Sequence, residues 1–138
     1  MRFESEDDLD RETIAIQTFV RMFNGSYKKL DPNDIDYRVY DSDGKLISYA
    51  EVKGRKRKYV DAYPLPVAVR KLVKLADKRL NPVIIWACED GIVYSKVKDL
   101  NGSIRWSGRI PRPQSYNDQE LMAYFYKSNT FKFIPYDK

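Results

Sequence analysis

Apolar residues along the chain recur with two periods, one near 3.6 residues and one of two. Helical spacing predicts amphipathic helices, which would cover residues 8–23, 66–80 and, more briefly, 118–126. Runs rich in Val, Ile, Tyr and Phe predict strands, at 35–40, 46–53, 83–87, 92–97, 103–107 and 131–134, with a loop at 108–117. Residues 27–30 are expected to form a short strand or an extended link. The order of these elements predicts an α/β fold, with a central mixed β-sheet of four or five strands flanked by α-helices.

Two of these strands flank an Asp43-Gly44 dipeptide, which is a strong signal for a β-hairpin. If this dipeptide is a two-residue loop, Asp36 on one strand lies directly opposite Glu51 on the other. Opposed like charges destabilise a strand pair, so a fold accepts them most readily when a cation lies between the carboxylates. A three-residue bulged turn would shift the pairing by one residue, and Asp34 is the alternative candidate in that register.

Composition limits the chemistry that is available. The chain of 138 residues has the size of one domain, expected to span 1–138, and it contains no histidine and one cysteine. Histidine-based catalysis and histidine-ligated zinc are therefore excluded, as is an intramolecular disulfide. A metal site in this chain is expected to be built from oxygen ligands, which suit Mg²⁺ or Mn²⁺.

The sequence Glu51-Val52-Lys53, with an Asp on the neighbouring strand, resembles the PD-(D/E)xK nuclease superfamily. Pro32-Asn33-Asp34-Ile35-Asp36 stands where the first half of that motif would be, with the proline separated from the acid. The resemblance covers roughly residues 8–97 and implies a restriction-endonuclease-like core. The small size is similar to that of phage endonucleases and Holliday-junction resolvases.

This resemblance implies a metal-dependent DNA nuclease that hydrolyses phosphodiester bonds. Asp36 and Glu51 would hold Mg²⁺ (or Mn²⁺), together with Glu12 and the backbone carbonyl of Val52, while Lys53 would orient the attacking water or stabilise the transition state. Glu12 also points into the apolar stripe of the first predicted helix, where an unpaired carboxylate would be costly.

Positive charge is concentrated in one segment. The net charge is +5, and Arg55-Lys56-Arg57-Lys58 follows the Glu-x-Lys sequence after a single glycine, Gly54. Such a block predicts a loop that faces phosphate, although a solvated loop is the alternative. By the same resemblance, Tyr63 and Lys71 are the nearest matches to residues that approach the DNA.

The expected partner is therefore DNA, with no small-molecule cofactor and no membrane, in the cytoplasm of a bacterium or an infected host cell. Many members of the superfamily are dimers, so a homodimer stays open. Two alternatives also stay open. One is a catalytically inactive, nuclease-like protein that binds nucleic acid, and the other is an unrelated α/β protein whose basic loop binds an acidic partner.

Overall fold

The computed structural model describes residues 6–31, 36–108 and 119–136, and the statements below concern these ranges. Along the chain lie α1 (Glu6–Arg21), β1 (Ser26–Lys29), β2 (Tyr37–Tyr40), β3 (Leu46–Gly54), β4 (Leu65–Ala68), α2 (Val69–Ala76), β5 (Val83–Ala87), β6 (Gly91–Lys96), β7 (Ser103–Gly108), β8 (Gln119–Phe125) and β9 (Lys132–Pro135). Short 3₁₀ turns occupy Tyr59–Asp61 and Val97–Asp99. None of the helices in these ranges has the length and apolar character needed to cross a membrane.

The main sheet has six strands in the order β1-β2-β3-β5-β6-β9. Strands β3 and β5 are parallel and the other neighbours are antiparallel, so the sheet is mixed. Strands β4, β8 and β7 form a separate antiparallel sheet. The α/β class, the hairpin and the placing of 83–87 beside it are confirmed. The main sheet has six strands instead of the predicted four or five, and the separate second sheet was not predicted.

Helix α1 covers one face of the main sheet. Ile16, Phe19 and Val20 pack there against buried residues of β2, β3 and β5, as the helical stripe predicts. The opposite face packs against α2 and the second sheet, around Trp86 and Phe125. Strand β5 is buried along its whole length, because its alternate side chains enter the two cores. A continuous apolar run in a central strand is explained by this position.

The turn between β2 and β3 differs from the prediction. Asp41 N–H donates to the Lys45 carbonyl at 2.9 Å, so three residues form the loop, with Gly44 at φ 81°. This turn shifts the pairing by one, so that Tyr40 pairs with Leu46. A bulge then places one extra residue on β3. On the side of the bulge away from the turn, from Val39 back to Tyr37, the pairing is the predicted one. The predicted two-residue loop was wrong, but the register beyond the bulge was right.

Two helix predictions were also wrong in part. The segment predicted as a helix at 118–126 contains β8, whose backbone pairs with both β4 and β7. Helix α2 is shorter than the predicted 66–80, because Leu65–Ala68 pairs with β8 as an edge strand, where Pro66 is tolerated. Most of the predicted loop at 108–117 lies outside the described residues.

Candidate active site

A cavity of about 560 Å³ opens at the end of the β2–β3 hairpin that lies away from its turn, between α1 and α2. Its wall contains charged side chains of both signs. The acids are Glu12, Asp36 and Glu51, and the cations are Arg11, Lys53, Lys56, Arg70 and Lys71. Three acids and five cations meet in one concave surface, which is the kind of place where ligands bind.

Asp36 and Glu51 lie side by side in this cavity. Tyr37 pairs with Ala50, so Asp36 and Glu51 continue the register as opposed residues. The Asp36 N–H donates to Glu51 Oε2 at 3.2 Å. In turn, the Val52 N–H donates to Asp36 Oδ2 at 2.9 Å. The predicted opposition of the two carboxylates is therefore present, and each of them is held in place by a backbone N–H.

The electrostatic state of Asp36 reflects this crowding. Burial, and secondly the charge of Glu51, raise the pKa of Asp36 to about 6. The Val52 N–H bond and the charges of Lys71 and Lys29 oppose this rise without cancelling it. Glu51 is itself only 6% exposed. Two carboxylates in a poorly solvated position form a site that favours a cation.

Helix α2 supplies a cation to this pair. Lys71 Nζ lies 3.1 Å from Glu51 Oε1. Leu75, one turn later, is buried, and Lys78 lies over the Tyr49 ring of β3. Lys71 and Leu75 of α2 therefore face the sheet, and Lys78 follows just beyond the end of the helix. Val69 and Leu72 of the same helix also pack into the core around Trp86. Val73 of the same helix is 63% exposed.

The other predicted members of the acidic site also line the cavity. Glu12 enters it from α1 and forms an ion pair with Lys29, at 3.8 Å. Lys53 lines the wall two residues beyond Glu51. Val52 contributes main chain to the same wall, and its N–H is used by Asp36. Whether its carbonyl serves as a ligand stays a prediction, and Asp34 lies outside the described residues.

The predicted nucleic-acid contacts do not all lie together. Lys56 lines the cavity, and Arg57 and Lys58 are exposed beside it. Arg55 instead turns inward, where its Nε donates to the Ala62 carbonyl at 2.9 Å and its Nη2 to that of Pro64 at 3.3 Å. This guanidinium therefore holds the following loop closed.

Tyr63 is the predicted contact that the structure separates most clearly from the cavity. Its hydroxyl is buried. The ring packs edge-on against Tyr59 and Phe131 in the second core. The structure gives Tyr63 a packing role in this conformation.

Two cavity residues were missed at the sequence level. Arg11 precedes Glu12 on α1, and Arg70 precedes Lys71 on α2 and forms an ion pair with Glu120 of β8. The sequence offered one indication of these two residues, which is that each is adjacent to a predicted site residue. It is a weak signal, because neighbouring residues on a helix point about 100° apart.

The described residues contain no group of three or more His, Cys, Asp or Glu side chains arranged to hold a metal. Glu12 reaches the cavity from the other side of the sheet, and its carboxylate is paired with Lys29. Two carboxylates nevertheless fit Mg²⁺, which commonly keeps several waters and takes only one or two carboxylates together with substrate phosphates. Asp36 and Glu51 are the residues that would hold it.

Searches against models of known protein families, curated proteins and solved structures gave no match.

Proposed function

We propose that this protein is a metal-dependent DNA nuclease that hydrolyses phosphodiester bonds on a restriction-endonuclease-like core. One observation carries the proposal: Asp36 and Glu51 are opposed and poorly solvated in a cavity that Lys53 also lines. Opposed like charges destabilise a strand pair, and the Lys71 ammonium is paired with Glu51. A divalent cation with a phosphate oxygen would make the arrangement favourable.

The roles of the residues follow from their positions. Asp36 and Glu51 would hold Mg²⁺, which when bound lowers the pKa of a water and neutralises charge on the scissile phosphate. The Val52 N–H fixes the orientation of the Asp36 carboxylate. Lys53 lines the same wall and can only donate hydrogen bonds and positive charge, so it would stabilise the phosphate as charge develops.

A second candidate is a protein of the same fold that binds nucleic acid without cutting it. The observation in its favour is the ion pair between Lys71 and Glu51, since this ammonium compensates one carboxylate without any metal. In that case the cavity would offer only its cations to a phosphate backbone. The two candidates differ in whether the bound DNA is hydrolysed.

A cleavage assay separates them. Linear, nicked, branched and single-stranded DNA would be incubated with Mg²⁺, with Mn²⁺ or with EDTA. We expect cleavage that requires metal and is lost in Asp36→Asn. The matched control is Asp99→Asn, which removes an exposed carboxylate outside the cavity. If the wild-type protein binds these substrates and cuts none of them with either metal, the non-cutting candidate replaces the nuclease.

A further inference from the structure

Arg38 lies on β2, on the same sheet face as the acidic pair. Its neighbours Tyr37 and Val39 point into the core beneath α1. Because side chains alternate along a strand, Arg38 points to the opposite face, as do Asp36 and Glu51. Arg38 is thus two residues, or roughly 6.7 Å along a strand, from Asp36.

Among the described residues, the guanidinium of Arg38 lacks both a hydrogen-bond acceptor for one of its donors and a partner for its charge. Its Nε is buried and has no hydrogen-bond acceptor. Buried donors in native proteins are almost always paired, and leaving one unpaired is costly, more so when the group is charged. Within the described residues, no carboxylate forms an ion pair with Arg38. Arg38 as a whole is half-buried, so an anion supplied from outside the chain can reach the exposed part of its side chain and provide the missing charge partner.

The surroundings of Arg38 are also cationic. Lys28 of β1 is the residue directly opposite Arg38, and it is exposed. On the other side Arg38 pairs with Tyr49, and Lys78 Nζ lies 5.3 Å from the centroid of that ring. Asp36 and Glu51, the described acids at the cavity end of this face, are bonded to backbone N–H groups and to Lys71. A basic strip therefore leads away from the acidic cavity across β1, β2 and β3.

We propose that Arg38, with Lys28 and Lys78 beside it, binds a backbone phosphate of the nucleic acid next to the phosphate that reaches Asp36 and Glu51. The identity of the ligand as DNA rests on the proposed function. Arginine suits this role because its planar fork binds phosphate through two parallel hydrogen bonds. The DNA strand then crosses the outer face of the hairpin, in addition to passing the loop that contains Lys56.

The test uses duplex DNA in EDTA, so that binding is measured without cleavage. Fluorescence anisotropy over a series of salt concentrations gives the affinity and its salt slope. Arg38→Met should bind about 10- to 100-fold more weakly, since hydrogen bonds to charged groups are at stake. Its salt slope should flatten by about 0.9, for one lost duplex contact. Arg38→Lys keeps the charge but not the fork, so it should lose affinity while keeping the slope.

The control is Lys132→Met, which removes one exposed charge from β9, at the opposite edge of the same sheet. It should bind as the wild-type protein does. The midpoint of thermal unfolding distinguishes a binding role for Arg38 from a structural one, because the two roles change the midpoint in opposite directions. Arg38→Met removes the unpaired donor, so the midpoint should rise by about 3–6 °C, whereas loss of a structural arginine would lower it.

The outcomes separate this inference from the nuclease proposal. Arg38→Met with wild-type affinity and slope would overturn the phosphate site, whether or not the protein cuts DNA. Weaker binding by Arg38→Met in a protein that cuts nothing would support the site and refute the nuclease. A fall in the unfolding midpoint would assign Arg38 to the fold and also overturn the site.

Discussion

The ammonium of Lys71 lies 3.1 Å from Glu51, so a helix residue compensates the strand carboxylate within the chain. The Glu51 side chain is 8% exposed and that of Lys71 is 34% exposed. Glu51 also accepts the Asp36 N–H. A divalent cation that binds Glu51 must therefore compete with Lys71, and an ammonium displaced by metal would become available to a phosphate.

The first prediction concerns this competition. Lys71→Met removes the ammonium that is paired with Glu51, so the metal-free protein should lose about 1–3 kcal/mol of stability. Added Mn²⁺ should then raise the unfolding midpoint more in Lys71→Met than in the wild-type protein. Differential scanning fluorimetry with and without Mn²⁺ measures both effects. Lys98→Met, which removes an exposed charge far along the chain, is the control.

Equal Mn²⁺-induced shifts in Lys71→Met and the wild-type protein would contradict the competition. Such a result would leave Lys71 as a structural partner of Glu51 only.

The second prediction concerns the pH dependence of stability. The pKa of Asp36 is about 6 in the folded protein, against an ordinary value of 3.8. Between these values the folded state binds more protons than the unfolded state, so stability should fall as the pH rises from about 4 to about 6. The total change is at most about 3 kcal/mol. Urea unfolding in EDTA at several pH values should show this fall in the wild-type protein.

Asp36→Asn is the variant that tests the assignment. The Asn side-chain oxygen can still accept the Val52 N–H, but it carries no charge. The fall in stability over this pH range should disappear, and the variant should be more stable than the wild-type protein above pH 6. Asp99→Asn should keep the wild-type profile. Parallel profiles for the wild-type protein and Asp36→Asn would show that Asp36 does not titrate as described.

The third prediction concerns metal binding itself. Calorimetric titration with Mn²⁺ should give heat with the wild-type protein and far less with Asp36→Asn or Glu51→Gln. Since Asp36 must be ionised to bind the ion, affinity should increase through pH 6 and binding should release a proton below that pH. Equal heats from the wild-type protein and Asp36→Asn would refute the assignment of the ligands.

The opposition of Asp36 and Glu51 was predictable because the hairpin has a strong local signal. The turn and the bulge that bring the two residues opposite each other were not predictable. The loop is longer by one residue than the Asp43-Gly44 dipeptide suggested, and the bulge opposite Val39 and Tyr40 restores the pairing. The bulge lies in the pairing between the two strands, where Val39 pairs with Ser48 and Tyr40 with Leu46, and the Asp-Gly signal of the turn contains no information about it.

The second sheet was not predictable for a similar reason. Glu120, Leu121, Met122 and Ala123 are good helix formers, and they favoured a helix. Pairing of β8 with two strands and burial of Ala123 and Phe125 override that preference. The pairing of β4 with β8 also shortens α2, and packing of α2 against the sheet directs Lys71 to Glu51. Local propensity contains none of these contacts.

The fourth prediction divides the basic block. Lys56, Arg57 and Lys58 are exposed, whereas the Arg55 guanidinium is bonded to two backbone carbonyls. Changing the three exposed residues to Ser should weaken binding to every DNA sequence alike and flatten the salt slope by up to about 2.7. Arg55→Ser should instead lower stability by about 1–3 kcal/mol. Anisotropy and urea unfolding of both variants test this division, and an unchanged slope in the triple variant would make the loop a solvated surface.

The fifth prediction concerns Lys53, which should be needed for cutting but not for folding or metal binding. Lys53 lies in the cavity wall on the same strand as Glu51, so in the proposed nuclease it would act on the phosphate that the metal-bound acids hold. Lys53→Ala should keep the unfolding midpoint, the Mn²⁺ heat and the DNA affinity near their wild-type values. Cleavage should fall by about 10²–10³, the usual loss for one preorganised donor.

Two further variants make the fifth prediction specific to chemistry. Lys53→Arg keeps the charge, but a planar guanidinium does not replace a compact ammonium, so rescue should be poor. Lys56→Ala removes a second lysine from the same cavity, and it should weaken DNA binding while the rate of cleavage at saturating DNA stays near wild type. Single-turnover kinetics with excess enzyme separate the two effects. If Lys53→Ala cuts as fast as the wild-type protein, the Glu-x-Lys sequence has no part in catalysis, and the acids of this cavity act without it.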